Sequence, residues 1–170
     1  MCRSGDRQQR LFRVVCIYLF FLIYMVGVVV GIGVQNPCDD IPCPALSDSN
    51  PTSDLYWDLL GYCFIFVFSG VSFGLFVIPA IVWLRAFVFS LTVAVCVRAA
   101  DWPLGDVLRF CLPTVVYTMG LIYSASVAFV RSVGITKGRK LNQDDRLALK
   151  RGILLAGICW ITNILLKYVV

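Results

Sequence analysis

Hydrophobic residues gather in long blocks along this chain, and polar residues collect between the blocks. From Leu11 to Val34 the only charge is Arg13, near the start of the block. A helix of that length reaches about 36 Å, enough to cross a bilayer with some tilt. It is too long for the core of a cleavable signal and no A-x-A site follows it, so it reads as an uncleaved first span. Gly27 and Gly31 form a GxxxG step inside it, which permits close helix approach; the general frequency of glycine in membrane helices explains the pair as well. Residues 35–56 then carry Pro37, Pro42, Pro44 and Pro51, which predict an irregular loop whose only charges are Asp39, Asp40, Asp48 and Asp54.

A second apolar block opens at Trp57 and reaches the small-residue stretch SGVSFG, residues 69–74, which predicts a tight turn. A third runs over residues 75–97 with Pro79 and Arg85 inside it. After a polar connection at 98–109, a fourth covers 107–130, with a kink expected at Pro113. The stretch 131–151 holds Arg131, Lys137, Arg139, Lys140, Arg146, Lys150 and Arg151, and the last apolar block, 152–170, follows it. Asn142 is a candidate helix cap with Asp144 and Asp145 in the first turn, so the last helix is expected to start near residue 143.

Composition agrees with the pattern. Hydrophobic residues make up 59% of the 170, charged residues 15%, and the mean hydropathy is +0.84. A soluble domain could not cover that much apolar side chain with so little polar surface. The expected class is an all-α, polytopic helical membrane protein: one integral membrane domain over residues 1–170, with about five transmembrane helices. The approximate spans are 11–34, 57–73, 75–97, 107–130 and 152–170, with a Gly/Ser break and a proline-containing central helix.

The chain contains no histidine and no glutamate. That removes the commonest zinc ligand and the commonest general base, and makes a Ser-His-Asp triad or an H-E-x-x-H site impossible on this chain alone. The inventory argues against an enzyme and calls for no cofactor or metal. No basic run is interleaved with aromatics outside the spans, which argues against nucleic acid as a partner. Membrane lipid is the expected environment, and association with a second copy is compatible with the pattern.

The net charge of +5 is unevenly placed. Arg3, Arg7, Arg10 and Arg13 precede the first span, an aspartate-only loop follows it, and the densest basic stretch is 131–151. By the positive-inside rule the N-terminus and the basic loop 131–151 are cytoplasmic, while the loop 35–56 and the C-terminus are outside. Three crossings then lie between the two loops. The competing division, with 57–84 as one long span and 86–97 as a re-entrant piece, would put the basic stretch outside and is disfavoured.

Arg85 lies in the middle of AIVWLRAFVFSLTV, where insertion of an arginine costs about 2.5–3.5 kcal/mol. Thr92, seven positions later, falls on the same helical face. Asp58, Asp101 and Asp106 all read as lying near the outer surface, so no carboxylate is expected at the depth of Arg85. Carbonyls freed by Pro79, hydroxyls of Ser69, Ser72, Ser124 and Ser126, or water would then satisfy it. Three roles remain open: a snorkelling cation, a structural pin between helices, or the lining of a path for an anionic substrate.

The segment GVSFGLFVIPAIVWLRAFVFSLTV resembles the central region of the stage II sporulation protein M family. That pattern is a Gly/Ser turn, a proline a few residues on, then a basic or polar residue ahead of a Gly-Phe pair and a further small residue. Here Gly70, Ser72, Gly74, Pro79, Arg85, Phe87 and Ser90 hold those places, and Pro113 in CLPTVVY falls where a Leu-Pro pair opens the next span. Ala86 stands in place of the usual glycine, and Thr114 where a glutamine is common. The resemblance implies a five-span, non-catalytic scaffold of engulfment in the cell membrane of endospore-forming bacteria. It also implies two partners, the peptidoglycan hydrolases named stage II sporulation proteins D and P. The alternative from the residues alone is a small transporter or channel using Arg85 and a broken helix. Cys38 and Cys43, spaced C-x4-C in the outer loop, are candidates for a disulfide that would stiffen a docking surface. A thiol oxidoreductase built on that pair is a third class, although such enzymes favour C-x-x-C.

Overall fold

The computed structural model describes residues 3–33, 51–99, 104–138 and 143–169, with side chains placed over 11–33, 56–94, 111–138 and 143–166. Five helices follow one another: α1 (Arg3–Gly33), α2 (Pro51–Phe68), α3 (Gly74–Ala99), α4 (Leu104–Thr136) and α5 (Gln143–Val169). There is no strand among the described residues. Four of the helices are long and apolar enough to cross a membrane; the apolar part of α2, Tyr56–Phe68, is shorter. The fold is therefore that of an all-α, multi-pass membrane protein.

Several boundaries differ from those expected. Residues 51–56 are helical rather than part of the 35–56 loop, because α2 starts at Pro51, and proline lacks the N–H that the first helical position would leave unpaired anyway. The span 57–73 ends at Phe68, and its last five residues form a turn. The polar connection 98–109 and the basic stretch 131–151 are largely helical extensions of α3, α4 and α5. Arginine and lysine are good helix formers, so a change from apolar to basic marks the membrane surface and not the end of a helix. Asn142 lies outside the described residues; Asp144 and Asp145 occupy the first turn of α5.

The turn at 69–73 reverses the chain through short-range bonds, from Val71 N–H to the Phe68 carbonyl and from Gly74 N–H to the Val71 carbonyl. Ser132 of α4 donates its hydroxyl to the Val71 carbonyl at 2.6 Å, which places the α4 C-terminal region at this turn. At the same end of the bundle, Arg13 of α1 meets Asp145 of α5 at 3.4 Å. Thus α1, α3 and α5 run one way and α2 and α4 the other. The central element is α4: 56% of its span is buried, against 28% for α1, 22% for α3 and 17% for α5.

The bundle is apolar outside and partly polar inside. Leu22, Val29, Phe76 and Leu154 are exposed, whereas Asp58, Ser124, Ser126, Ser132 and Asn163 are buried with Phe20, Ile65, Ile78, Val82 and Leu121. That arrangement suits lipid as the solvent, because the outer face then has nothing polar to satisfy. Along the seam between α1 and α3 the two helices approach closely. A methyl group on Gly27 would lie 2.8 Å from the Ala86 Cβ and 2.8 Å from the Trp83 carbonyl oxygen. One on Gly31 would overlap the Ser90 hydroxyl and come within 2.9 Å of the Phe87 carbonyl oxygen. The GxxxG step of α1 therefore packs against the small pair Ala86 and Ser90 of α3.

Gly31→Ala is expected to lower stability by about 1–3 kcal/mol through overpacking. Gly157→Ala, at a site with open space around it, should leave stability unchanged or slightly raised. Equilibrium unfolding in mixed micelles distinguishes the two, and equal effects would contradict the seam.

Candidate functional site

The helices bring one set of polar side chains together inside the bundle. Each comes from the buried face of its helix, read at steps of three, four or seven residues. On α2 that face is Asp58, Tyr62, Ile65 and Ser69. On α4 it includes Tyr117, Leu121, Ser124 and Ala128, and on α1 Cys16, Phe20 and Tyr24. On α5, Asn163 lies seven residues beyond the buried Ala156. Arg85 follows Ile78 and Val82 on α3 at the same spacing.

At the centre, the Arg85 guanidinium forms an ion pair with Asp58 Oδ1. The second carboxylate oxygen, Oδ2, accepts a hydrogen bond from Asn163 Nδ2 at 2.9 Å. The Tyr117 ring lies under the guanidinium, with Cζ 5.2 Å from the ring centroid, in a cation–π contact. Tyr117 donates its hydroxyl to the Asp58 backbone carbonyl at 3.2 Å. Tyr62 in turn donates to the Tyr117 carbonyl at 3.0 Å, and the two rings meet edge to face. Beside Tyr117, Thr118 donates to the Tyr24 hydroxyl at 3.2 Å, so α1 joins the same set. All five helices contribute. The Asp58 side chain is 8% exposed and that of Arg85 31%, so the carboxylate is enclosed and the arginine side chain only partly so. Asn163 Oδ1 is buried without a hydrogen-bond partner.

The expectation that no carboxylate lies at the depth of Arg85 is overturned. Asp58 follows Tyr56 and Trp57, aromatics of the kind that mark a membrane surface. Measured from the turn, Asp58 precedes the end of α2 at Phe68 by 68 − 58 = 10 residues, and Arg85 follows the start of α3 at Gly74 by 85 − 74 = 11. At helical rise these are about 15 and 17 Å, so an antiparallel pair sets the two side chains level. None of the four serines serves Arg85 in the hydrogen bonds seen. Ser69 donates to the Phe66 carbonyl, Ser124 to that of Gly152 and Ser126 to that of Tyr123, while Ser72 is exposed in the turn.

The other residues singled out in the sequence fall into three places. Gly70, Ser72 and Gly74 form and close the turn, where a side chain on Gly74 would strike the Phe68 carbonyl oxygen. Phe87 and Ser90 lie on the α1–α3 seam; Ser90 donates to the Phe87 carbonyl at 2.8 Å, and Phe87 stacks on Trp83. Thr92 is exposed and donates to the Val88 carbonyl of its own helix. Pro79 and Pro113 are interior to α3 and α4. Cys38 and Cys43 lie outside the described residues. The described residues include no group of three Cys or Asp placed to hold a metal ion. What the cluster can do chemically is hold opposite charges together inside a bundle. The chain matches no family model, no curated protein and no solved structure.

Tyr117→Phe keeps the ring under Arg85 and removes one hydrogen bond, so it is expected to cost about 0.5–1.5 kcal/mol. Tyr117→Leu should cost at least about 1 kcal/mol more, because the cation–π contact goes as well. Unfolding titrations of both variants test this order, and a phenylalanine variant as damaged as the leucine one would contradict it.

Proposed function

We propose that this chain is a non-catalytic integral-membrane scaffold, with its N-terminus cytoplasmic and its C-terminus extracytoplasmic. The observation that carries the reading is the Asp58–Arg85 pair, in which the one mid-bundle cation among the described residues is already neutralised by a carboxylate whose second oxygen is held by Asn163. An arginine that binds a substrate anion needs its charge available, and this one is engaged with a side chain of its own protein. The absence of histidine and glutamate supports the non-catalytic half of the proposal. The partners follow from the resemblance to the stage II sporulation protein M family, with the hydrolases D and P held at the septal membrane. In that scheme the aspartate-rich stretch 35–56 faces the wall and offers the docking surface. The partial exposure of the Arg85 side chain favours the rival reading, a small anion transporter.

Asp58→Asn/Arg85→Gln removes both charges and leaves the cluster neutral. The scaffold predicts that hydrolases D and P co-purify with this variant as with the wild type. It also predicts that wild-type proteoliposomes pass anions no faster than empty vesicles. Saturable anion flux in the wild type, lost in the double variant, would overturn the proposal in favour of transport. Asn substitution of Asp39, Asp40 and Asp48 together should weaken the co-purification, and unchanged capture would remove the docking role of that stretch.

A further inference from the structure

A second set of charges lies away from the central pair, at the end of the bundle that carries the α1 N-terminus. Arg13 of α1, Arg131 of α4 and Asp145 of α5 line a shallow cleft whose walls include Val130 and Leu149. Arg13 reaches Asp145 at 3.4 Å, which leaves the three with one positive charge unbalanced. Arg131 Nε is buried and has no hydrogen-bond partner. A charged donor in that state is costly, and the cleft sets two guanidiniums against one carboxylate.

We propose that the cleft binds the phosphate of an anionic phospholipid headgroup. The depth fits: Arg131 adjoins Ser132, whose hydroxyl holds the Val71 carbonyl of the 69–73 turn, so the cleft lies at the level where the chain leaves the membrane. The cleft is shallow, so a headgroup would lie against its mouth. A phosphate would therefore sit at the mouth of the cleft beside the Arg13 and Arg131 guanidiniums, with the rest of the headgroup in the interface. The two guanidiniums, from different helices, supply planar donors suited to phosphate. Asp145 opposes a second negative charge, and its pairing with Arg13 limits that opposition. Leu11 and Val14 of α1 and Leu147 of α5 are exposed at this end of the bundle, apolar surface that an acyl chain could use and a free phosphate would not. Basic clefts between membrane helices at this level are suited to acidic headgroups in general.

The test is native mass spectrometry of the full chain, titrated with phosphatidylglycerol and with phosphatidylcholine of the same acyl chains. Phosphatidylglycerol should bind more tightly. Arg131→Gln should weaken it about tenfold, the loss of one charge-assisted hydrogen bond. Arg13→Gln, a second variant in the cleft, should weaken it too. Arg146→Gln, which removes an exposed charge on the same end of α5, should change binding less than about twofold. Inorganic phosphate should fail to displace the lipid; displacement would reassign the cleft to a free anion. Equal loss in the Arg131 and Arg146 variants would reduce the effect to diffuse attraction, and unaltered binding in both cleft variants would overturn the site.

Discussion

An arginine and an aspartate placed deep among apolar helices tolerate each other's presence far better than either tolerates being alone. In a medium of low dielectric an uncompensated charge costs several kcal/mol, and a paired, hydrogen-bonded one much less. The Asp58–Arg85 pair is the constraint on which the interior of this bundle depends. It fixes the register of α2 against α3 about the 69–73 turn, since a shift of one residue would turn either side chain away from the other. It also draws in α4 and α5, because the ring of Tyr117 and the amide of Asn163 complete the surroundings of the two charges.

The role of α2 follows from the same pair. Its apolar part is the shortest of the five, and it carries a buried carboxylate. On its own it is a poor membrane helix; folded against α3 as a hairpin it presents a neutral interior. The α1–α3 seam is held differently, by close backbone approach at Gly27 and Gly31, where the gain comes from packing and no charge is involved. Two kinds of contact thus divide the bundle: a polar one joining all five helices at the centre, and an apolar one that seats α1 along α3.

Much of the architecture was legible in the sequence. Apolar blocks gave the helices, and SGVSFG gave the turn, because lipid leaves the backbone few alternatives to helix. Helix ends were less legible, since Arg131 and Lys137 change the solvent without changing the backbone preference. Arg85 stood out, yet its partner did not. Asp58 follows Trp57, and an aromatic next to an acid reads as the membrane surface. The signal that pairs the two is their nearly equal distance from the turn. Asn163 carried a signal of its own, as an amide inside the last apolar block. Tyr117 and Tyr62 carried none, because a tyrosine in a span can face lipid or core, and only the packing of α2 against α4 decides between them.

The central claim is that Asp58 and Arg85 stabilise the bundle as a pair, each compensating the other. A double-mutant cycle measures this most directly: unfolding free energies of Asp58→Asn, Arg85→Gln and the two combined, in mixed micelles. Each single variant should lose about 3–5 kcal/mol, and the combination should lose no more than the worse single variant. Losses that simply add would show two side chains with no interaction between them, and would contradict the account.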